Sequence, residues 1–284
     1  MRLLLGVLFL LLAQLPARAG PDDLAVIIAN KRYDFAHTVE YADRDGEAMR
    51  DFAGTATRPG EIAGRLAGRK AQRVWIYYSG HGVPGKRADG GFEPYLLPKD
   101  ANPQQPEHSA MPLDEIEASI RAAIAAHAKG AQTVLILDAC FSGRSDGDTA
   151  VAGARGRVLS PESSAGGPVR LVPRKASDEL IVLAAARDDE IASWDREARH
   201  GLFTDLLLQA LFNGTGEGRQ VTLGAIDTFL AARANERLAA LFPGGGRQQR
   251  PELRGRRDVV LVDNAGTLGR DQDARLQASV QCNG

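Results

Sequence analysis

Four short, nearly continuous apolar runs set the tightest limit on what this 284-residue chain can fold into. They are Leu24 to Ile28 (LAVII), Val74 to Tyr78 (VWIYY), Val134 to Leu137 (VLIL) and Leu180 to Leu183 (LIVL). A strand with one wet face alternates apolar and polar residues. A run that is apolar at every position needs cover on both faces, which is the pattern of a parallel sheet. Between the runs, Asp45 to Phe52, Leu113 to Ala128 and Gly201 to Phe212 carry apolar residues near helical spacing. In the second of these, Ile116, Ile120 and Ile124 recur every fourth residue and would face the sheet. Strands alternating with helices predict an α/β layered fold with right-handed crossovers.

The chain is long enough, and at 44% hydrophobic residues apolar enough, to bury a sizeable core. It opens with Arg2, an uncharged apolar run from Leu3 to Leu15, Pro16 and the small-x-small sequence Ala17-Arg18-Ala19. Such a run is short for a membrane span and matches a secretory signal, here residues 1–19, cleaved after Ala19. The expectation is an exported, periplasmic or secreted protein with no stable membrane anchor after cleavage. Lys and Arg total 35 against 36 Asp and Glu, so no basic excess points to nucleic acid. Two cysteines, Cys140 and Cys282, are too few for a disulfide framework.

Residues 20–263 read as one domain. Within it, residues 144–175 are rich in Gly, Ser, Pro and Arg without apolar period, and read as a mobile surface loop. Residues 264–284 form a polar tail.

In an open α/β sheet, ligands bind where loops leave the carboxyl ends of the strands. His81 follows the VWIYY run and Cys140 follows VLILD, so both fall at that edge. Were these strands neighbours, about 4.8 Å apart, the two side chains would come within reach of each other. An imidazole can then activate a thiol, and Gly80 and Gly82 leave backbone N–H groups near the reacting centre for an oxyanion. Taken singly, each residue has a plainer reading: a cysteine at a strand end as a small hydrophobe, and a histidine as a hydrogen-bonded surface residue.

The ordered pair Tyr-Ser-Gly-His-Gly, then Leu-Asp-Ala-Cys-Phe-Ser-Gly, resembles the caspase-like cysteine peptidases (peptidase C14), in particular the metacaspase and bacterial orthocaspase branch. The resemblance runs from Leu24 to Asp263 and includes LAVIIANKRY, GFEPYLLPKDA and RHGLFTDLLLQAL. It implies a caspase-like three-layer sandwich, with a mostly parallel central sheet flanked by helices, and His81 and Cys140 as a catalytic dyad. Backbone amides of Gly82 and Cys140 would hold the oxyanion.

Asp138 stands two residues before Cys140, a spacing that puts both side chains on one side of a strand. By resemblance, Asp138 and Asp45 (in Arg44-Asp45-Gly46-Glu47-Ala48-Met49) line a pocket for a substrate arginine or lysine. Asp45 also reads as a helix N-terminal acid favoured by the dipole. Ser193 and Trp194 resemble a segment lining the substrate cleft, although Trp194 reads equally as a packing residue. The loop at 144–175 lies where family chains are often cut, and is either self-processed or an uncut solvated loop. Residues 51–73 are strand-poor where the family has a further strand and helix, so an edge strand is expected to be missing or reduced.

No cofactor is expected. Asp146 and Asp148 are too sparse for a defined calcium loop, so no metal is assigned. The expected activity is hydrolysis of peptide bonds after Arg or Lys in protein or peptide substrates. The rivals are a catalytically silent module of the same fold that binds basic peptides or a protein partner, and a transpeptidase. Pairing of Cys140 with Cys282 in an oxidising compartment would switch the thiol off. Oligomeric state is not readable.

Overall fold

A computed structural model of the chain describes residues 23–53, 56–57, 72–86, 92–127, 129–141, 144–145, 149–150, 180–187, 190–215 and 220–263. Residues 1–19, where a signal segment is expected, residues 264–284 with Cys282, Asp146, Asp148 and most of residues 144–175 lie outside the described residues.

In chain order the elements begin with β1 (Leu24–Ala29), α1 (Ala42–Ala53), β2 (Ala56–Thr57), β3 (Arg73–Ser79), β4 (Gly82–Lys86) and β5 (Phe92–Leu96). Then come α2 (Pro106–Ser109), β6 (Met111–Pro112), α3 (Leu113–His127), β7 (Gln132–Asp138), β8 (Arg144–Ser145), β9 (Thr149–Ala150) and β10 (Leu180–Ala184). The chain continues with β11 (Trp194–Asp195), β12 (His200–Gly201), α4 (Leu202–Asn213), β13 (Val221–Thr222), α5 (Leu223–Leu241), β14 (Glu252–Arg254) and β15 (Val260–Val262).

The four apolar runs are β1, β3, β7 and β10, and they sit together in one six-stranded sheet of order β14-β10-β7-β3-β1-β2. Five strands are parallel, and β14 pairs antiparallel at the edge beside β10. At the opposite edge, β2 at Ala56–Thr57 pairs with β1; residues 54–55 and 58–71, on which the expectation of a missing or reduced edge strand rests, lie outside the described residues.

Side-chain parity explains why the runs are apolar throughout. Trp75 and Tyr77 of β3, Val134 and Ile136 of β7, and Ile181 and Leu183 of β10 pack on one face with α1, α4 and α5. Alternate residues, Leu135 and Leu137 of β7 with Leu180 and Val182 of β10, pack on the other face with Leu113, Ile116 and Ile120 of α3. Ile124 joins Leu24, Val74 and Ala131 lower on that face, so the isoleucine stripe faces the sheet as its spacing predicts. Phe52 of α1 meets Trp75 edge-on at 5.2 Å and Phe212 of α4 at 5.4 Å, locking both helices to the sheet. The result is the expected three-layer α/β sandwich. Among the described residues, no helix is long and apolar enough to cross a membrane.

Candidate active site

The central pair of strands fixes the site. β3 and β7 are neighbours in register, with Ser79 opposite Asp138. His81 and Cys140 therefore leave the sheet two residues beyond one paired position. Both line a cleft together with Val39, Asp45, Asp138, Trp194 and Gly201, among others. Two side chains far apart in sequence are thus delivered to one edge by strand pairing alone.

His81 is held by the β1–α1 connection. Its backbone N–H donates to the Tyr33 hydroxyl at 2.8 Å, and the two rings lie 4.7 Å apart. Its carbonyl accepts from the Tyr78 hydroxyl at 2.7 Å. A methyl group on Gly80 would come within 2.4 Å of the Tyr33 hydroxyl, so only glycine fits before the histidine. Nε2 lies 2.6 Å from the carbonyl oxygen of His37. A carbonyl only accepts, so the proton of the neutral ring sits on Nε2 and the lone pair on Nδ1. Burial lowers the His81 pKa to about 4, with the His37 carbonyl opposing, so the ring is a neutral base at physiological pH.

The Cys140 sulfur lies against one residue of the chain after β10. The backbone N–H of Ala192 donates to Sγ at 2.9 Å, and the Ala192 carbonyl is 3.5 Å from Sγ. The N–H favours the thiolate, the nucleophilic form, whereas the carbonyl accepts from the S–H and favours the resting thiol. Gly82 lies in β4, facing the ring of Phe141 and the Cys140 carbonyl.

The acidic residues converge on the N-terminus of α4. Asp45 Oδ1 is 2.7 Å from His200 Nδ1, and the Gly201 N–H donates to both Asp45 oxygens at 3.2 and 3.1 Å. Asp138 Oδ2 accepts from the Thr204 hydroxyl at 2.6 Å, and Thr204 Oγ1 is in turn 2.7 Å from the Tyr77 hydroxyl. A methyl group on Gly201 would lie 2.4 Å from Asp138 Oδ2 and 3.1 Å from Asp45 Oδ2. Glycine therefore lets both carboxylates close around one backbone position at the positive end of the helix. Burial raises both acids, Asp138 to about 7 with the nearby charge of Asp45 adding to the shift.

Trp194 also lines the cleft and packs edge-on against Tyr41 at 6.1 Å. Ser193 sits behind it, 2% exposed; its N–H donates to Gln249 Oε1 at 2.8 Å, and its carbonyl accepts from Leu202. Both Trp194 and His200 belong to a hairpin built on Asp195. The Asp195 carboxylate accepts the N–H groups of Glu197 and Ala198 and pairs with Arg237 of α5. Tyr33, His37, Ala192, His200 and Thr204 were not singled out from sequence. Two of them, His37 and Ala192, act through backbone groups that every residue carries.

Residues 61–259 match the sequence profile of the Peptidase_C14 caspase domain. No curated protein is significantly similar in sequence. Among solved structures, caspase-1 from Spodoptera frugiperda is 15% identical, with a TM-score of 0.52 over 88% of this chain and 93% of that one. The pro-form, pro-sf-caspase-1, gives 15% identity and a TM-score of 0.51 over 86% and 92% of the two chains. Protein GSU0716 from Geobacter sulfurreducens gives 15% and 0.50 over 83% and 94%. At such identities the structures speak for the fold, and the profile for the family. The chain belongs to the caspase-domain family of cysteine peptidases, peptidase C14.

Proposed function

We propose that this protein is an exported cysteine endopeptidase that hydrolyses peptide bonds after arginine or lysine in protein or peptide substrates. The observation that carries the reading is one cleft lined by a thiol, a neutral imidazole and two buried carboxylates. Cys140 attacks the scissile carbonyl carbon as thiolate, its proton having passed to His81. Backbone amides of Gly82 and Cys140 receive the negative charge on the carbonyl oxygen. His81 then hands the proton to the leaving amine, the C–N bond breaks, and a thioester remains on Cys140. Water, deprotonated by His81, attacks the thioester and frees the carboxylic acid and the thiol. The His37 carbonyl keeps the imidazole in the tautomer with a lone pair on Nδ1.

Specificity follows from charge. Two carboxylates at one end of a partly closed cleft repel each other until a cation arrives, and a guanidinium or ammonium supplies it. An aspartate side chain would bring a third negative charge.

The test is hydrolysis of fluorogenic peptides ending in Arg, Lys or Asp, with the thiol reduced, with and without calcium, beside Cys140→Ala. Cleavage after Arg or Lys but not Asp, abolished in Cys140→Ala, is expected. Folded, reduced protein that cleaves none of them would transfer the assignment to a silent module of the same fold. Appearance of ligated rather than hydrolysed products would make it a transpeptidase.

A further inference from the structure

The imidazole of His200 has no part in the thiol chemistry, yet it is 6% exposed and spends Nδ1 on Asp45. Burying an imidazole against a carboxylate is costly unless the pair is well made, and here it sits beside a pocket that the proposed function assigns to a cationic side chain. We propose that His200 is a positioning residue for that pocket, which fixes Asp45 so that Asp45 and Asp138 together grip a guanidinium and favour arginine over lysine. The inference rests on the proposed Arg/Lys reading and deepens it.

Each carboxylate is anchored from behind by a different element. Asp45, on α1, is tied to β12 by His200 and by the Gly201 N–H. Asp138, at the end of β7, is tied to α4 by Thr204. Asp138 Oδ2 and Asp45 Oδ2 lie 2.4 and 3.1 Å from the one point that a methyl group on Gly201 would occupy, so the gap between these two oxygens is at most the sum of those distances. A guanidinium is a rigid planar fork that gains from two acceptors held at fixed positions, whereas an ammonium is a point charge that gathers acceptors loosely. Freezing Asp45 therefore benefits arginine more than lysine.

His200 also supports the charge on Asp45. Burial pushes the Asp45 carboxyl up, and the His200 hydrogen bond is the largest influence opposing it. Other acids act on the same imidazole: Asp205 on α4, itself raised to about 6 by burial, and Asp138 on β7, while Asp195 on β11 is the cross-strand neighbour of His200 in the backbone pairing. Only Asp45 is hydrogen-bonded to it among the described residues. The hairpin that carries His200 is braced by Asp195 and Arg237, so the imidazole is placed by the fold rather than by the substrate.

The experiment compares wild type, His200→Ala and His200→Asn on paired fluorogenic peptides ending in Arg or Lys. The asparagine side-chain amide stands where Nδ1 does and retains a donor for Asp45. In His200→Ala, KM for the Arg peptide should rise about ten-fold or more, with a smaller rise for Lys and a far smaller change in kcat. His200→Asn should restore much of the Arg preference. Equal KM and an unaltered Arg:Lys ratio in His200→Ala would overturn the proposal, as would a fall in kcat alone that asparagine does not rescue.

Alkylation of Cys140 by iodoacetamide reports whether the fold around the thiol survives; if His200→Ala loses it, His200→Asn and His200→Gln carry the comparison. Binding of Arg, Lys and citrulline peptides to Cys140→Ala and Cys140→Ala/His200→Ala separates pocket from catalysis. Preference for Arg over citrulline without hydrolysis leaves the pocket standing and lets binding decide the role of His200. No preference for either basic peptide, in hydrolysis or in binding, overturns the pocket and this inference with it.

Discussion

Asp138 is the residue where binding and folding make opposite demands. It is buried at the floor of the cleft, and burial with the neighbouring Asp45 charge raises its carboxyl from 3.8 to about 7. Between about pH 4 and 7 the folded state therefore keeps a proton that the unfolded chain has released, and stability falls as pH rises through that window. Above it the penalty is constant. Asp138→Asn removes the penalty and keeps an acceptor for Thr204. We expect this variant to be more stable than wild type at pH 8, on the order of 2 kcal/mol, with the gap closing toward pH 4. His81 moves the other way: its depressed value gives stability that is present above pH 6.5 and lost as pH falls toward 4. That contribution is common to both proteins and cancels in the difference. The same variant should cleave basic peptides far more slowly. Melting curves from pH 4 to 8 check the first expectation, and a gap independent of pH would contradict it.

The element that matters most beyond the sheet is the connection between β1 and α1. Asn30 N–H donates to Ser79 at 2.8 Å, Val39 N–H closes the loop onto Lys31 at 2.9 Å, and Tyr33 and His37 then reach His81. A loop with no apolar period thus sets the orientation of the base. Tyr33→Phe leaves the buried N–H of His81 without its acceptor, at a cost of about 1–3 kcal/mol. The expected signature is a lower kcat with KM for Arg peptides little altered, because the acidic pocket is held by other elements. A rise in KM alone would show that this loop serves binding instead. Hydrogen exchange at His81 should quicken in the same variant.

On the scale of the whole molecule, the last strands are tied back to the centre of the sheet by one side chain. Arg73, at the start of β3, donates to the carbonyls of Leu261 and Val260 at 2.8 Å each and to Gln132 at 3.0 Å. Arg73→Met keeps the stem and loses these charge-assisted bonds, leaving two part-buried carbonyls without this donor. A loss of about 2–4 kcal/mol follows, read as a lower denaturation midpoint with the slope unchanged. An unchanged midpoint would mean that β13–β15 pairing alone holds the C-terminal end. Much of this architecture was legible beforehand. All four main strands and the helices at 113–127 and 202–213 appear within a residue or two of their expected bounds, because continuous apolar runs and helical spacing are local signals. α1 starts earlier than read, at Ala42, and α5 and β14 were not foreseen. β14 has a single apolar residue, Leu253, between Glu252 and Arg254, and becomes a strand only because β10 offers it an edge. By itself the sequence determined that the runs must be covered on both faces, and so that the chain leaves β3 and β7 at one edge carrying His81 and Cys140. Which groups meet there was decided by tertiary structure. His200 reaches Asp45 across 155 residues, and the protonation of the acids follows from burial, which no local pattern encodes.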